Sequence, residues 1–168
     1  MRPVSQTPTE AADYAVLSSL YGLLLSGAAI SARGKDPIPR EELPVIAAAT
    51  FALSKLIVHE KVESWIRQPF VEERPGGSSR PKGRRLRYAV GELMSCTRCT
   101  GAWCALGLVA LRLHKPATAR TVTAVLAASA GSDFLHSGFT WICARATAQQ
   151  QEAEAGPPHV VPAPRAAA

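Results

Sequence analysis

YAVLSSLYGLLLSGAAISA, Tyr14–Ala32, is the stretch on which the fold turns. Nineteen residues pass without a charged side chain, and apart from the phenols of Tyr14 and Tyr21 the polar side chains are small hydroxyls such as Ser18, Ser19 and Ser26. A bilayer core takes about 20 apolar residues per helix. Small hydroxyls are tolerated between membrane helices, whereas a soluble surface helix of this length carries charges along one face. A cleaved leader fits poorly, because Glu10 and Asp13 accompany Arg2 ahead of the apolar run and the AISA end is a weak cleavage match.

Three further apolar segments follow: Leu43–Val58 with Lys55 inside it, Gly101–Leu113 charged at Arg112, and Thr121–Ala144 with Asp133 inside it. The last reaches spanning length unaided. The middle two need their flanks, out to His59 in one case and back to Leu93 in the other. The pattern predicts an all-α fold: a small transmembrane helical bundle of about four spans, with a short amphipathic interfacial helix and disordered tails. Residues 1–13 form a polar N-terminal tail, 14–145 the transmembrane helical domain, and 146–168, rich in Ala, Gln, Pro and Glu, a disordered C-terminal tail. A soluble Ala-rich helical bundle is the competing reading, since runs of 13–16 apolar residues also suit buried helices.

The 168-residue chain carries a net charge of +6 at pH 7, and its mean hydropathy is only +0.04. That average hides a segregation of polar residues into the tails and a central loop. Basic residues clump beside apolar segments, which points to the lipid bilayer as partner, with anionic headgroups near the 74–87 basic loop, and not to nucleic acid. With four spans, both tails and the central loop share one side. Arg2, Lys61, Arg67, Arg74, Arg80, Lys82, Arg84, Arg85, Arg87, Arg98, Arg145 and Arg165 lie there, against Arg33, Lys35, Arg40, Arg112, Lys115 and Arg120 opposite. The positive-inside rule then puts both termini on the cytoplasmic side of the membrane. Within the loop, Val62, Trp65 and Ile66 have helical spacing, so Lys61–Phe70 reads as a short interfacial helix anchored by Trp65 and Phe70, or as a loop tucked on the bundle. Pro75–Arg85 reads as a flexible linker.

The stretch GELMSCTRCTGAW, Gly91–Trp103, resembles the signature of the domain-of-unknown-function 1360 family, a set of bacterial multi-pass membrane proteins. Gly91, Glu92, Leu93, Cys96, Cys99, Gly101 and Trp103 carry the likeness. The upstream block TFALSKLIVHEKVESWIRQPF, Thr50–Phe70, is similar to a second family block. The resemblance covers about residues 43–145. Thr97 and Arg98 stand between the cysteines where Pro-Trp is common in the family. The resemblance implies no activity; some members are described as sporulation proteins.

Two constellations stand out chemically. Cys96 and Cys99 form a Cys-x-x-Cys at a helix start, where a thiol pKa is lowered. Their readings are a packed helix cap (the favoured one, with Trp103 anchoring at the interface), a thiol–disulfide couple, or a metal site completed by Cys143 and His59, with zinc as the candidate ion. Asp133 is a carboxylate inside a span, with Lys55 and His136 as its expected neighbours in an interhelical hydrogen bond or a proton pathway. No phosphate loop, hydrolase elbow or zinc-protease helix motif occurs. The functional expectation is a structural or interaction subunit of the membrane without catalysis, needing no cofactor and joined to a membrane-protein partner or to its own copies. The alternatives are a thiol-redox or metal-binding protein using Cys96 and Cys99, and a proton-coupled transporter using Asp133.

Overall fold

The structure is a computed structural model, and it describes residues 7–73 and 79–155. It is mostly helical: α1 (Ala11–Ser31), α2 (Leu43–His59), the single turn α3 (Ser64–Arg67), α4 (Leu86–Met94), α5 (Thr97–His114) and α6 (Pro116–Ala155). Two three-residue strands, β1 (Val71–Glu73) and β2 (Ser79–Pro81), pair antiparallel with Val71 opposite Pro81. The chain divides into two units, Met1–Gly131 and Ser132–Ala168.

Two helices are long and apolar enough to cross a membrane: α1, and α2 taken from Arg40 through its preceding 3-10 turn. A third candidate is the pair α4 and α5, which bends by 88° at Ser95–Cys96. The sequence suggested one continuous helix from Leu93. Instead, Cys96 adopts extended backbone and starts a new helix. Asp133 and His136 dilute the apolar run of α6, which is not among these candidates.

In the first unit the contacts fix an up–down–up order. The start of α1 meets α4, where Tyr14 donates to Glu92, and the end of α2 meets the start of α5, with His59 Nε2 3.0 Å from Thr97 Oγ1. At the opposite end, His114 of α5 lies 3.3 Å from Ser31 and 3.2 Å from Lys35. There too Arg112 makes a two-pronged pair with Glu42, at 2.5 and 3.0 Å, joined by Arg120 at 3.6 Å. Between these polar ends, Ile46, Ala49 and Leu108 form the buried cluster, flanked by Leu53, Val109, Val122 and Leu126. Ala49 is fully buried, and a small residue here lets two backbones approach closely.

The surface of α1 inverts that of a soluble helix. Its one buried residue is Asp13, while Leu23 is 71 % exposed and Leu24, Leu25 and Ile30 are exposed as well. Such a continuous apolar surface on a soluble monomer would be a liability. In the second unit the helix likewise exposes Phe134, Leu135, Phe139, Trp141 and Ile142, and the Arg145 guanidinium sits 5.4 Å from the Trp141 ring centre.

Several expectations change. The residues read as a disordered tail from 146 continue α6 to Ala155, because Ala, Gln and Glu are good helix formers; residues 156–168 lie outside the described part. The polar N-terminal tail is tied down from Thr7 onward, and residues 1–6 lie outside. Lys61–Phe70 makes a 3-10 turn and one α-turn, not a ten-residue amphipathic helix. Trp65 stays exposed while Arg67 is buried. The linker at Pro75–Arg85 contributes β2, with Gly83 in the left-handed region at φ 84°; residues 74–78 lie outside.

Arg67 explains the turn. Its guanidinium donates to the carbonyls of Ile57 (3.1 Å), Val58 and Glu60 (3.2 Å), capping the end of α2. A cation there satisfies orphan carbonyls and complements the helix dipole. Arg67→Ala should lower the melting temperature of the detergent-solubilised protein by roughly 5 °C or more, and Arg67→Lys should recover only part of that, because an ammonium lacks the fork. Unchanged melting of both variants would contradict the capping role.

Candidate functional site

The signature stretch forms a corner, with α4 and α5 meeting at Ser95–Cys96. Gly91 is required by close approach: a Cβ there would stand 2.5 Å from the Phe70 carbonyl oxygen and 2.9 Å from Pro81 Cβ. The hairpin β1–β2 is thus pressed on α4, helped by the Lys82 N–H donating to the same Phe70 carbonyl at 2.7 Å and by Arg87 donating to Pro69 O at 2.9 and 2.6 Å. Across the bend, Thr100 is buried and donates to Leu93 O at 2.9 Å, while Ser95 Oγ donates to Gly91 O at 2.8 Å.

Glu92 accepts the Tyr14 hydroxyl, which also lies 3.2 Å from Thr9 Oγ1. Beside it, Arg85 pairs with Glu10 and, at 3.4 Å, with the buried Asp13. Its backbone N–H donates to Pro8 O at 2.9 Å. This polar lock fastens the start of α1 to α4. Trp103 packs edge-on against Tyr21 of α1, with ring centres 5.3 Å apart, so its partner is a helix where the sequence suggested an interfacial anchor. Gly101 faces Ser54 of α2, where a Cβ would meet the hydroxyl at an ordinary 3.8 Å.

Cys96 occupies the N-cap of α5. Cys99 follows three residues on, in the first turn of that helix. The Cys96 side chain completes no capping hydrogen bond there. All four cysteines are free thiols: Cys96 and Cys99 half-buried, Cys104 buried, Cys143 exposed. An open groove of about 530 Å³ adjoins the corner, lined by Phe51, Ser54, Lys55, His59, Thr97 and Arg98.

The structure therefore brings Cys96 to Cys99, and His59 and Lys55 to the residues between the two cysteines. Cys143, Asp133 and His136 belong to the second unit, and Lys55, His59, Cys96 and Cys99 to the first. Among the described residues no three His, Cys, Asp or Glu side chains gather to hold a metal ion. Tyr14, Asp13, Arg85 and Arg67 escaped the sequence reading. The one signal for them was charge at Asp13 and Glu10 directly ahead of an uncharged span.

A mostly helical chain with two or three candidate membrane-spanning helices and a polar corner at one end is what the geometry defines. The profile of the proteins of unknown function designated DUF1360 matches residues 45–139. Sporulation protein YjcA of Bacillus subtilis is 31% identical over 91 residues, which span 49% of this chain and 77% of the relative. The chain belongs to the DUF1360 family. No solved structure matches it. Helix α1, up to its end at Ser31, precedes the matched segment, so Glu92 of the family signature is satisfied by a residue outside that segment.

Tyr14→Phe and Glu92→Gln should each reduce thermal stability in detergent. The double variant should lose no more than the worse single one, a coupling of about 1 kcal/mol. Additive losses would show that the two groups act separately.

Proposed function

We propose that this chain is a structural or interaction subunit of a bacterial cell membrane, crossing it four times with both termini and the hairpin on the cytoplasmic side. The observation that carries the reading is α1: an apolar helix whose one buried residue is a carboxylate at its start. At 21 residues it is about 32 Å long, close to the roughly 30 Å of a hydrocarbon core. The bent pair α4–α5 supplies the third crossing. The long α6 supplies the fourth, with Asp133 and His136 inside it accommodated against protein or a partner subunit.

Charge supports the orientation. The hairpin end carries Lys82, Arg84, Arg85 and Arg87, and the opposite end partly neutralises its cations through Glu42. Anionic headgroups are the partner of the hairpin end, at about 1 kcal/mol for each basic residue near the surface. The printed name of the Bacillus relative attaches a sporulation role to that protein; for this chain the proposal is the membrane subunit alone.

Single cysteines introduced in a background lacking the four native ones test the topology. Lys35→Cys should react with a membrane-impermeant maleimide in intact cells, and Lys82→Cys only after permeabilisation. The reverse pattern, or equal labelling, would overturn the orientation. Light scattering of the detergent-extracted protein should give a protein mass above the 17.8 kDa of one chain; a monomer would overturn the subunit role.

A further inference from the structure

The corner at Ser95–Cys96 presents two half-buried free thiols, Cys96 at the N-cap of an eighteen-residue helix and Cys99 in its first turn. The N–H groups at the start of a helix, and a guanidinium two residues on at Arg98, favour negative charge on a sulfur at the N-cap. The groove beside them is the second observation. It runs past Thr97 and Arg98, the two residues between the cysteines, and its lining couples an apolar wall, Phe51, with the basic side chains Lys55, His59 and Arg98. Cys104 is buried within α5, and Cys143 belongs to the second unit.

We propose that Cys96 and Cys99 are a dithiol–disulfide couple that reduces the disulfide of an acidic peptide seated in this groove. In the first step the Cys96 thiolate attacks one sulfur of the peptide disulfide. That S–S bond breaks, a Cys96–peptide mixed disulfide forms, and the departing thiolate takes a proton from water. In the second step Cys99 gives its proton to solvent and attacks the Cys96 sulfur, releasing the second peptide thiolate, which is protonated in turn. Two electrons pass from the pair to the peptide: two cysteine thiols become one Cys96–Cys99 disulfide, and one peptide disulfide becomes two thiols. The reverse reaction with a dithiol restores the couple. The role adds to the subunit reading and stands without it, because it needs only the corner and the groove.

Oxidised glutathione, an acidic peptide disulfide, is the probe, and cystamine, a cationic disulfide, is its counterpart. The full-length protein carrying Cys104→Ala and Cys143→Ser is equilibrated in detergent with graded ratios of oxidised to reduced glutathione. Remaining thiols are counted by maleimide mass addition. Both thiols should disappear together. In the same background Cys99→Ser should trap one glutathionyl group on Cys96, while Cys96→Ser should leave Cys99 largely unmodified. Alkylation of the otherwise unmutated pair should follow a pH profile with its midpoint below the roughly 8.5 of an ordinary thiol. Glutathione disulfide should react at least about 10-fold faster than cystamine, and Arg98→Gln should remove most of that preference.

Retention of both thiols across the titration, in that background and in the unmutated protein alike, would overturn the proposal. So would an adduct trapped on Cys99 in place of Cys96, a bound zinc ion that blocks maleimide, or faster reaction with cystamine. A failed topology experiment leaves these readouts intact, so the two proposals fail separately.

Discussion

An apolar helix must cover its surface with something, and α1 covers almost none of its own. Beyond the edge-on contact of Tyr21 with Trp103, the polar lock at its start and Ser31 beside His114 at its end, most of its large apolar side chains are exposed. In water each buried leucine or isoleucine is worth about 1.5–3 kcal/mol, so leaving Leu23, Leu24, Leu25 and Ile30 exposed forfeits a stability comparable to that of a whole domain. A hydrocarbon solvent removes the deficit. Buried polar groups then become the specific glue, since lipid offers no hydrophobic force between helices and no water for orphaned donors. The placement of polar contacts follows that logic: they collect at the two ends, with small residues and the Ile46–Ala49–Leu108 cluster between them.

The two polar ends differ in kind. One joins the ion pairs of Glu42 with Arg112 and Arg120 to hydrogen bonds of His114 with Ser31 and Lys35. The other is a folded platform. Arg67 caps α2, the hairpin leans on Gly91, Tyr14 meets Glu92, and the bend at Ser95 sets Cys96 at the head of α5. Three segments of the chain far apart in sequence close on this corner, so the family signature reads as the meeting point of α1, the hairpin and α5. Gly91 supplies room, Glu92 an acceptor, Leu93 a carbonyl for Thr100, and Cys96 a cap.

Much of this was legible in the residues. The uncharged run Tyr14–Ala32 announced α1, and the break in charge after His59 announced the end of α2. What stayed hidden was long-range pairing. Nothing local distinguishes Arg67 from its basic neighbours, because its role depends on carbonyls seven to ten residues upstream. The hairpin was masked by Gly, Pro and Ser, the composition of a linker, and its strands are only three residues each. The Tyr14–Glu92 contact joins positions 78 apart, beyond any periodicity. The Ser95–Cys96 bend hid behind an apolar pattern that runs through it, and the helical residues after Arg145 hid behind a polar composition that suits helix and tail alike.

The lipid environment of α1 is the claim on which the rest stands. The direct measurement is depth-dependent quenching of an environment-sensitive fluorophore attached at Leu24→Cys in a background lacking the native cysteines, with the protein in phospholipid vesicles. The account predicts blue-shifted emission, strong quenching by a lipid spin-labelled in mid-chain, and little quenching by aqueous iodide. A red-shifted label that iodide quenches as readily as one placed at Arg98→Cys would contradict it.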